Sequence, residues 1–213
     1  MYQMNEILKT DRLILREIDI KFSAQVYDIM KSYPEMGTYM TWGTPTSVEE
    51  VAQSIQNQID QKNLLFGLFL HSNPEVLIGR VTLRNFVWWE RDAQKTSAFL
   101  SFWISPEYGG KGYGTEMLRT ICRYAFINLK LRKIFAGVFI QNIPSQRLLN
   151  KVGFQCIGVS RKHYLKDGVE YDSARYELCV GDFLNSEETP LIPDKTHRTK
   201  FDHYSADHEY KTD

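Results

Sequence analysis

A glycine-rich stretch in the middle of the chain, 105–115 (SPEYGGKGYGT), most constrains what this sequence can fold into. It lies between an apolar, strand-like run at 95–104 and an amphipathic, helix-like run that ends near residue 129. Glycine adopts backbone conformations that side chains forbid, and it lets a ligand approach the main chain. The N-terminus of the following helix presents unpaired N–H groups and the positive end of its dipole. The stretch therefore predicts a binding site for a phosphate-like anion, with a flexible surface turn as the alternative.

Two common phosphate-binding loops do not fit its spacing. The dinucleotide fingerprint requires a third glycine after a Gly-x-Gly pair, at positions where this chain has Thr115 or Met117. A Walker loop places lysine directly after its second glycine, but Gly114 is followed by Thr115 and Glu116. What remains is a Gly-x-Gly pair that opens a helix after several strands.

Length, charge and cysteine content exclude several classes of protein. The 213 residues suit one domain with or without an appendage, and the 26 basic and 26 acidic residues give no global attraction to nucleic acid or to an anionic membrane. The cysteines at 122, 156 and 179 are odd in number and form no C-x-x-C pair, which favours reduced thiols over disulfides or zinc. No signal peptide is visible, and apolar runs such as 64–70 are too short to span a membrane. A cytoplasmic protein without a metal is expected.

Hydrophobic periodicity predicts an alternation of strands and helices. In order, we expect a strand at 12–18, helices at 20–33 and 47–61, a hairpin of 64–71 and 76–85, a strand at 95–104, a helix to about 129, a strand at 133–140, a short helix to 152, and strands at 154–160 and 171–180. The strand, helix and strand around the glycine stretch imply a parallel, right-handed connection, with the stretch at the carboxyl end of a strand.

Three other segments are expected to be irregular. The aromatic segments 33–45 and 85–94 are predicted as loops, which either cover the core or form a substrate wall. The sequence becomes polar near the C-terminus, so 1–181 is predicted as one domain and 182–213 as a flexible tail.

Two signatures on this order of elements resemble the GNAT superfamily of acyl-CoA-dependent N-acetyltransferases. In the family's acetyl-CoA loop, Gln/Arg-x-x-Gly-x-Gly/Ala, Gly112 and Gly114 match, whereas Gly109 stands where Arg or Gln is usual. A second signature has Asn142 and Ser145 followed by Gly-Phe at 153–154. The resemblance covers about residues 8–180. The start at 10–16 and the ending at 167–176 look like the branch that includes the ribosomal-protein N-terminal acetyltransferases (RimJ/RimL-like).

The resemblance implies a fold, a co-substrate and a reaction. The fold is an α/β (α+β) arrangement whose central mixed, mostly antiparallel sheet splays between two parallel strands and is flanked by about four helices. The co-substrate is acetyl-CoA, and the acetyl group passes by direct attack to a primary amine of a small molecule or a protein N-terminus. The implied cofactor-binding residues are Ile104, Gly109, Gly110, Lys111, Gly112, Tyr113, Gly114, Thr115 and Asn142.

The proton donor is not at the position that many GNATs use. Those enzymes place a tyrosine four residues before the Gly-Phe pair, where this chain has Leu149. Similarity to the RimJ/RimL-like branch implies that the Ser145 hydroxyl protonates the departing thiolate instead. The alternative is that Ser145 is a helix-capping or first-turn serine, a position where serine is favoured in any case.

The general base is less well defined. The strand 97–104 contains no carboxylate, so Glu90 and Glu107 are the nearest candidates, and either could be a solvated surface charge. Neutralising an α-amine with a pKa near 7.8 at pH 7 costs about 1 kcal/mol, against about 4.6 kcal/mol for a lysine side chain near 10.4. The missing strand carboxylate therefore favours an N-terminal or other low-pKa amine.

The aromatic loops suggest an acceptor site, and two further interpretations remain open. Tyr39, Trp42 and Trp88 are predicted to contact the acceptor. A rival interpretation is a catalytically inactive acyl-CoA-binding module that keeps the cofactor loop. Exposed aromatic rings also leave room for self-association as a homodimer.

Overall fold

The computed structural model of the protein describes residues 7–41, 43–89 and 94–188. Its strands are β1 (Ile7–Lys9), β2 (Leu13–Glu17), β3 (Leu64–Leu70), β4 (Asn73–Trp89), β5 (Gln94–Ile104), β6 (Lys133–Phe139), β7 (Gln155–Lys166) and β8 (Val169–Cys179). Its helices are α1 (Ser23–Ser32), α2 (Val48–Asp60), α3 (Tyr113–Ile127), α4 (Ile143–Val152) and α5 (Val180–Glu188). Short 3-10 turns occupy Ile20–Phe22, Pro34–Tyr39 and Pro106–Tyr108.

The described strands form one mixed sheet in the order β1-β2-β3-β4-β5-β6-β8-β7. Every neighbouring pair is antiparallel except β5 and β6, which run parallel. This arrangement confirms the predicted fold class and the parallel connection through α3.

The parallel pair separates halfway along its length. Pairing between β5 and β6 runs only from Ser97 opposite Lys133 to Leu100 opposite Ala136. Beyond that point β5 stays paired with β4 as far as Ile104, and β6 stays paired with β8 as far as Phe139. The sheet therefore opens into two wings, and main-chain hydrogen-bonding groups line the gap between them.

The sheet is covered on both faces because its strands alternate between two apolar sets. Val81 and Leu83 of β4 belong to the core beneath α3, α4 and α5. Leu77 and Trp103 belong to a second core, shared with α1 and α2. This division places the glycine stretch with α3 on one face and leaves the other face to α1 and α2.

Helix ends follow the expected caps. The Ser47 hydroxyl accepts a hydrogen bond from Glu50 N–H (3.2 Å) at the start of α2. The Glu50 carboxylate reaches back to Thr46 N–H (2.7 Å), and these hydrogen bonds lower the pKa of Glu50 below its usual value. Gly153 ends α4 in the left-handed conformation, φ +106°.

The prediction that 85–94 is a loop was wrong at its start. Strand β4 continues to Trp89, with Trp88 paired to Lys95 of β5. The register shifts between Arg84 and Val87, and Asn85 has φ +51°, so the start of the predicted loop is a bulge within a longer strand.

The predicted domain boundary at residue 181 also falls too early. Helix α5 runs from Val180 to Glu188, so part of the predicted tail is helical. The Phe183 side chain is fully buried, with its ring 5.5 Å from that of Phe126. A single aromatic residue in a polar sequence thus extends the folded part, while 189–213 lie outside the described residues. Among the described helices, none has the length and apolar character needed to cross a membrane.

Candidate active site

A cavity of about 710 Å³ occupies the place where the sheet opens. On one side it is lined by the end of β5, the glycine stretch and the start of α4. On the other side it extends over β4 toward α2 and the 3-10 turn Pro34–Tyr39. The cavity therefore passes through the sheet and connects its two faces.

The edges of the gap present main-chain groups. Thr96 C=O accepts from Arg132 N–H (2.8 Å) on the β6 side, whereas Ser105 N–H donates to Ile78 C=O (2.9 Å) on the β4 side. Because successive residues of a strand point their main-chain groups in opposite directions, those of Phe102 and Ile104 face the gap. An extended chain with amide groups could pair with this edge as an added strand does.

The glycine stretch forms the N-terminal end of α3. Gly110 and Gly112 have φ of +70° and +83°, conformations that other residues adopt at a cost, and Gly112 is the N-cap of the helix. The N–H groups of the first helical turn, from Tyr113 on, have no acceptor within the helix and are available to an anion. Gly109 is different, because its N–H donates to Pro106 C=O (2.9 Å).

An arginine that the sequence analysis did not single out holds this loop in place. Arg12, directly before β2, donates through Nε to Glu116 of α3 (2.7 Å) and through Nη1 to Lys111 C=O (2.9 Å). Its guanidinium also lies 4.7 Å from the centre of the Tyr113 ring. Thr10 donates to the same carboxylate, so the turn between β1 and β2 braces the helix end from outside the cavity.

The charge state of Glu116 depends on these contacts. Partial burial raises its pKa, but hydrogen bonds from Thr10 and Arg12 and the Arg12 charge outweigh that effect, so the pKa of Glu116 lies below its usual value. The carboxylate is therefore ionised at neutral pH and keeps its ion pair with Arg12.

Most of the predicted cofactor residues line the cavity. These are Ile104, Gly109, Gly110, Gly112, Tyr113, Gly114, Thr115 and Asn142. Lys111 is the exception, because its side chain is exposed, is not part of the cavity wall, and places Nζ 5.3 Å from the centre of the Tyr108 ring. That Lys111 contributes to cofactor binding therefore stays a prediction, which rests on its position within the glycine stretch.

The start of α4 places Asn142 and Ser145 beside the gap. The Asn142 side chain accepts a hydrogen bond from Ser145 N–H (3.2 Å) and caps the helix. Ser145 is thus a first-turn residue and not the capping residue, and it lines the cavity. Leu149 is fully buried in the core beneath α3, so the position where relatives hold tyrosine does not face the cavity as a proton donor.

The structure describes only some of the residues that were predicted to contact the acceptor or to act as the general base. Tyr39 lines the cavity from the 3-10 turn. Trp42 and Glu90 lie outside the described residues, and only the backbone of Trp88 is described. Glu107 is exposed and does not belong to the cavity wall.

Sequence reasoning missed several residues on the α1 and α2 side. Arg80, Thr82 and Arg84 of β4 line the cavity there, although nothing in a motif singles them out. Tyr164 of β7 also lines it, and an added Cβ on Gly137 would lie 3.2 Å from the Tyr164 hydroxyl. The glycine at 137 thus lets this phenol lie close to the gap.

The β7–β8 hairpin forms the remaining wall. The Lys166 ammonium, at the tip of the hairpin, donates to Gly37 C=O in the 3-10 turn. The Tyr164 and Tyr171 rings both pack on Phe139, at 5.1 and 5.0 Å between centres. The hairpin therefore covers the cavity on the α1 and α2 side.

The cavity wall contains few groups that titrate near neutrality. Among the described residues that line it, there is no aspartate, glutamate or histidine. Within the described part of the chain, no three His, Cys, Asp or Glu side chains are grouped so that they could hold a metal ion.

Comparisons with known proteins identify relatives of both the sequence and the fold. A family model described as "Acetyltransferase (GNAT) domain" matches residues 12–155. The chain is 30% identical over 179 residues to "Uncharacterized N-acetyltransferase YoaA" of Bacillus subtilis (strain 168), which covers 82% of this chain and 97% of the relative. It is 26% identical over 139 residues to the spermidine N(1)-acetyltransferase of Vibrio cholerae, covering 61% of this chain and 78% of that protein.

Solved structures share the same architecture. One is RimL, the ribosomal L7/L12 alpha-N-protein acetyltransferase in complex with coenzyme A, with a TM-score of 0.73, 16% identity, and coverage of 84% of this chain and 99% of that one. Another is the spermidine N-acetyltransferase of Vibrio cholerae in complex with CoA and spermine, with a TM-score of 0.71, 22% identity, and coverage of 83% and 100%. At these identities the structural matches establish the fold.

Proposed function

Because the chain belongs to the GNAT family of acetyltransferases, we propose that acetyl-CoA lies in the gap between β5 and β6 and that a primary amine reaches it from the α1 and α2 side. Membership makes the protein an acetyl-CoA-dependent N-acetyltransferase. The observation that best supports the proposal is the cavity itself, which joins an anion-binding helix end on one face of the sheet to a side-chain pocket on the other.

The residues of the gap fit acetyl-CoA. The N–H groups at the start of α3 suit a diphosphate, and Gly112 permits the close approach. The main-chain groups of Phe102 and Ile104 suit the amides of the pantetheine arm, and the Asn142 side chain lies on the opposite edge. When bound, acetyl-CoA would supply the acetyl group as an activated thioester.

Direct transfer to an amine requires that the ammonium lose a proton and that the departing sulfur gain one. The chain offers a group for the second of these steps. The hydroxyl of Ser145, a residue that lines the cavity and is not the helix cap, would give a proton to the departing sulfur. For the other movement, the described cavity wall supplies neither a carboxylate nor a histidine to accept the proton of the ammonium. An α-amine needs about 1 kcal/mol to lose its proton at pH 7, against about 4.6 kcal/mol for a lysine side chain, so the wall favours a low-pKa amine.

The absence of a carboxylate and a histidine from the described cavity wall restricts the kind of amine that can accept the acetyl group. We propose a protein N-terminus or a small-molecule amine as the acceptor and the cytoplasm as the place of action. The relatives include a putative ribosomal N-acetyltransferase and a spermidine N(1)-acetyltransferase, so related chains act on amines of both kinds.

The test is release of free thiol from acetyl-CoA across a panel of N-terminal peptides, polyamines and small amines, with Ser145→Ala measured in parallel. We expect thiol release that depends on the acceptor. We also expect kcat in Ser145→Ala to fall by about 100-fold, since a positioned proton donor typically contributes that much or more. The variant should fold normally because the Asn142 cap uses the main-chain N–H of residue 145.

Two results would contradict this account in different ways. An undiminished rate in Ser145→Ala would remove Ser145 from the proton-donor role while leaving the reaction in place. Tight acetyl-CoA binding without thiol release for any acceptor would instead support a non-catalytic acyl-CoA-binding module.

A further inference from the structure

One face of β4 presents two arginines to the cavity. Along this strand Arg80, Thr82 and Arg84 alternate with Val81 and Leu83, and the latter two are buried beneath α3. The arginines therefore point to the opposite face of the sheet, toward α1 and α2. Both line the cavity beyond the gap, away from the helix end that faces a diphosphate.

Neither guanidinium is neutralised by a described residue. Within the described ranges, no ion pair or hydrogen bond joins Arg80 or Arg84 to another side chain, in contrast to Arg12, which pairs with Glu116. The Nε of Arg84 is buried and has no hydrogen-bond partner, and the same is true of Nε1 of Trp103, directly opposite Arg80. Buried donors without acceptors are costly, which points to a ligand that supplies the acceptors.

Burial changes the acidity of Arg80 but not its charge. Loss of solvent lowers the pKa of Arg80 to about 10, so the guanidinium remains cationic at neutral pH. A guanidinium that is partly shielded from solvent and has no carboxylate partner stabilises a bound anion more strongly than an exposed arginine would.

The rest of this wall has matching chemistry. Its other polar groups include the hydroxyls of Ser54 and Ser101 and the amide of Gln58, and none of the described lining residues is acidic. A polyamine would bring further positive charge against the two arginines. A carboxylate or phosphate could instead accept two parallel hydrogen bonds from a guanidinium group.

We propose that the acceptor bears an anionic group near its amine, and that Arg80 and Arg84 bind that group and orient the amine toward the gap. This inference rests on the proposed function and narrows it. Two sources share the chemistry: a protein N-terminus that begins with an acidic residue, and a free amino acid or similar small amine.

The test compares acceptors of different charge, with the glutamate and glutamine peptides as the closely matched pair. Tripeptide amides that begin with glutamate, glutamine or lysine have similar α-amines, and free glutamate and spermidine complete the set. We expect kcat/KM for the glutamate peptide or for free glutamate to exceed that for the glutamine peptide by about tenfold or more, with the lysine peptide and spermidine poorest. Whichever of the two acidic acceptors is preferred identifies the source.

Variants assign the preference to the two arginines. In the double variant Arg80→Gln/Arg84→Gln, the ratio of acidic to neutral acceptor should fall to near one, and Arg80→Lys/Arg84→Lys should keep part of it. Arg161→Gln, an exposed arginine of β7 outside the cavity wall, should leave the ratio unchanged. Circular dichroism of each variant checks that it is folded.

Several outcomes would overturn the inference. These are a glutamine peptide that reacts as fast as both the glutamate peptide and free glutamate, a preference for the lysine peptide or spermidine, and an unchanged ratio in a folded double variant. A higher KM for acetyl-CoA with an unchanged ratio would assign the arginines to the cofactor instead.

A binding measurement separates this inference from the proposed function. If no acceptor releases thiol, the proposed function fails, but calorimetry with the glutamate peptide, free glutamate and the glutamine peptide in the presence of CoA still decides the role of the arginines. Tighter binding of either acidic ligand than of the glutamine peptide, lost in the double variant, would support the inference. Binding of neither acidic ligand more tightly than the glutamine peptide would overturn it.

Discussion

The two halves of the cavity are built in different ways. The cofactor half uses main-chain groups, from the start of α3 and from the open edge of β5, and most of its residues lie within 104–115. The acceptor half uses side chains from α2, β4 and β7 and from the 3-10 turn, which are far apart in the sequence. The first half therefore depends on backbone conformation, and the second on the identity of individual side chains.

The two halves should consequently respond to different mutations. A change that disturbs the backbone of the glycine stretch should weaken acetyl-CoA binding and leave the acceptor unaffected. A change of a side chain on the α1 and α2 side should do the reverse. Single variants can separate the two halves when each is compared with a chemically similar control outside the cavity wall.

The largest effect is expected for Gly112→Val. A β-branched residue at φ +83° is strained by about 1–3 kcal/mol, and its Cβ would lie 3.3 Å from the Arg12 guanidinium. The KM for acetyl-CoA should rise by about 10- to 100-fold, with the KM for the acceptor unchanged, as measured by steady-state kinetics.

Gly158→Val is its control. Gly158 also has a positive φ, +145°, has no atom within 4 Å of an added Cβ, and lies on β7 outside the cavity wall. It should lower the melting temperature without raising the KM for acetyl-CoA. An equal rise in both variants would mean that general destabilisation, rather than the loop conformation, weakens cofactor binding.

A smaller effect is expected for Glu116→Gln, which removes the ion pair with Arg12. The KM for acetyl-CoA should rise by about fivefold to tenfold because a charge-assisted contact that fixes the loop is lost. Glu50→Gln is the matched control, since Glu50 is also a hydrogen-bonded carboxylate of lowered pKa but caps α2. It should leave the KM for acetyl-CoA unchanged.

Protonation of Glu116 should make the KM for acetyl-CoA depend on pH. The folded-state pKa of Glu116 is depressed, so its stabilising contribution is present above the unfolded pKa and is lost as pH falls through the folded value. The KM for acetyl-CoA in the wild type should rise on the acid side of that folded pKa, and Glu116→Gln should lack this rise. An identical acid limb in both proteins would assign it to another group.

The smallest effect is expected for Tyr164→Phe, on the acceptor side. Loss of the hydroxyl beside Gly137 should raise the KM for the acceptor by about twofold to fivefold, because a single neutral hydrogen bond is worth about 1 kcal/mol or less. The KM for acetyl-CoA should not change. Tyr171→Phe is the control, since Tyr171 faces Tyr164 across the hairpin and packs on the same Phe139 ring. If both variants behave alike, the effect comes from packing of the hairpin.

The cofactor half could be predicted from the sequence because its information is local. A run of glycines before an amphipathic helix fixes both the backbone conformation and the helix end, and Asn142 with Ser145 follows at a family spacing. The departure at Gly109 is also local, because a Cβ added there would lie 3.0 Å from Pro106 C=O in the preceding 3-10 turn.

The acceptor half could not be predicted in the same way because it is assembled by tertiary structure. Tyr164 reaches the cavity only through the β7–β8 hairpin and the absence of a side chain at Gly137. The arginines did leave a signal, since Arg80 and Arg84 alternate with buried apolar residues in a central strand, where unpaired charges are rare.

The predicted end of strand β4 and the predicted end of the domain were both wrong, and for similar reasons. The bulge at Asn85 reads as a turn in the sequence, although the strand continues beyond it to Trp89. Phe183 and its neighbour Leu184 stand in a polar segment, and the packing of Phe183 against Phe126, with Val180 and Leu184 on the same core, shows that helix α5 belongs to it.

The division between the two halves can be tested most directly by calorimetric binding of acetyl-CoA without acceptor to three proteins: the wild type, Glu116→Gln and Arg80→Gln/Arg84→Gln. We expect Glu116→Gln to bind several-fold more weakly and the double arginine variant to bind with the affinity of the wild type. Equally weakened binding in the arginine variant would contradict the account, because it would place the arginines in the cofactor half.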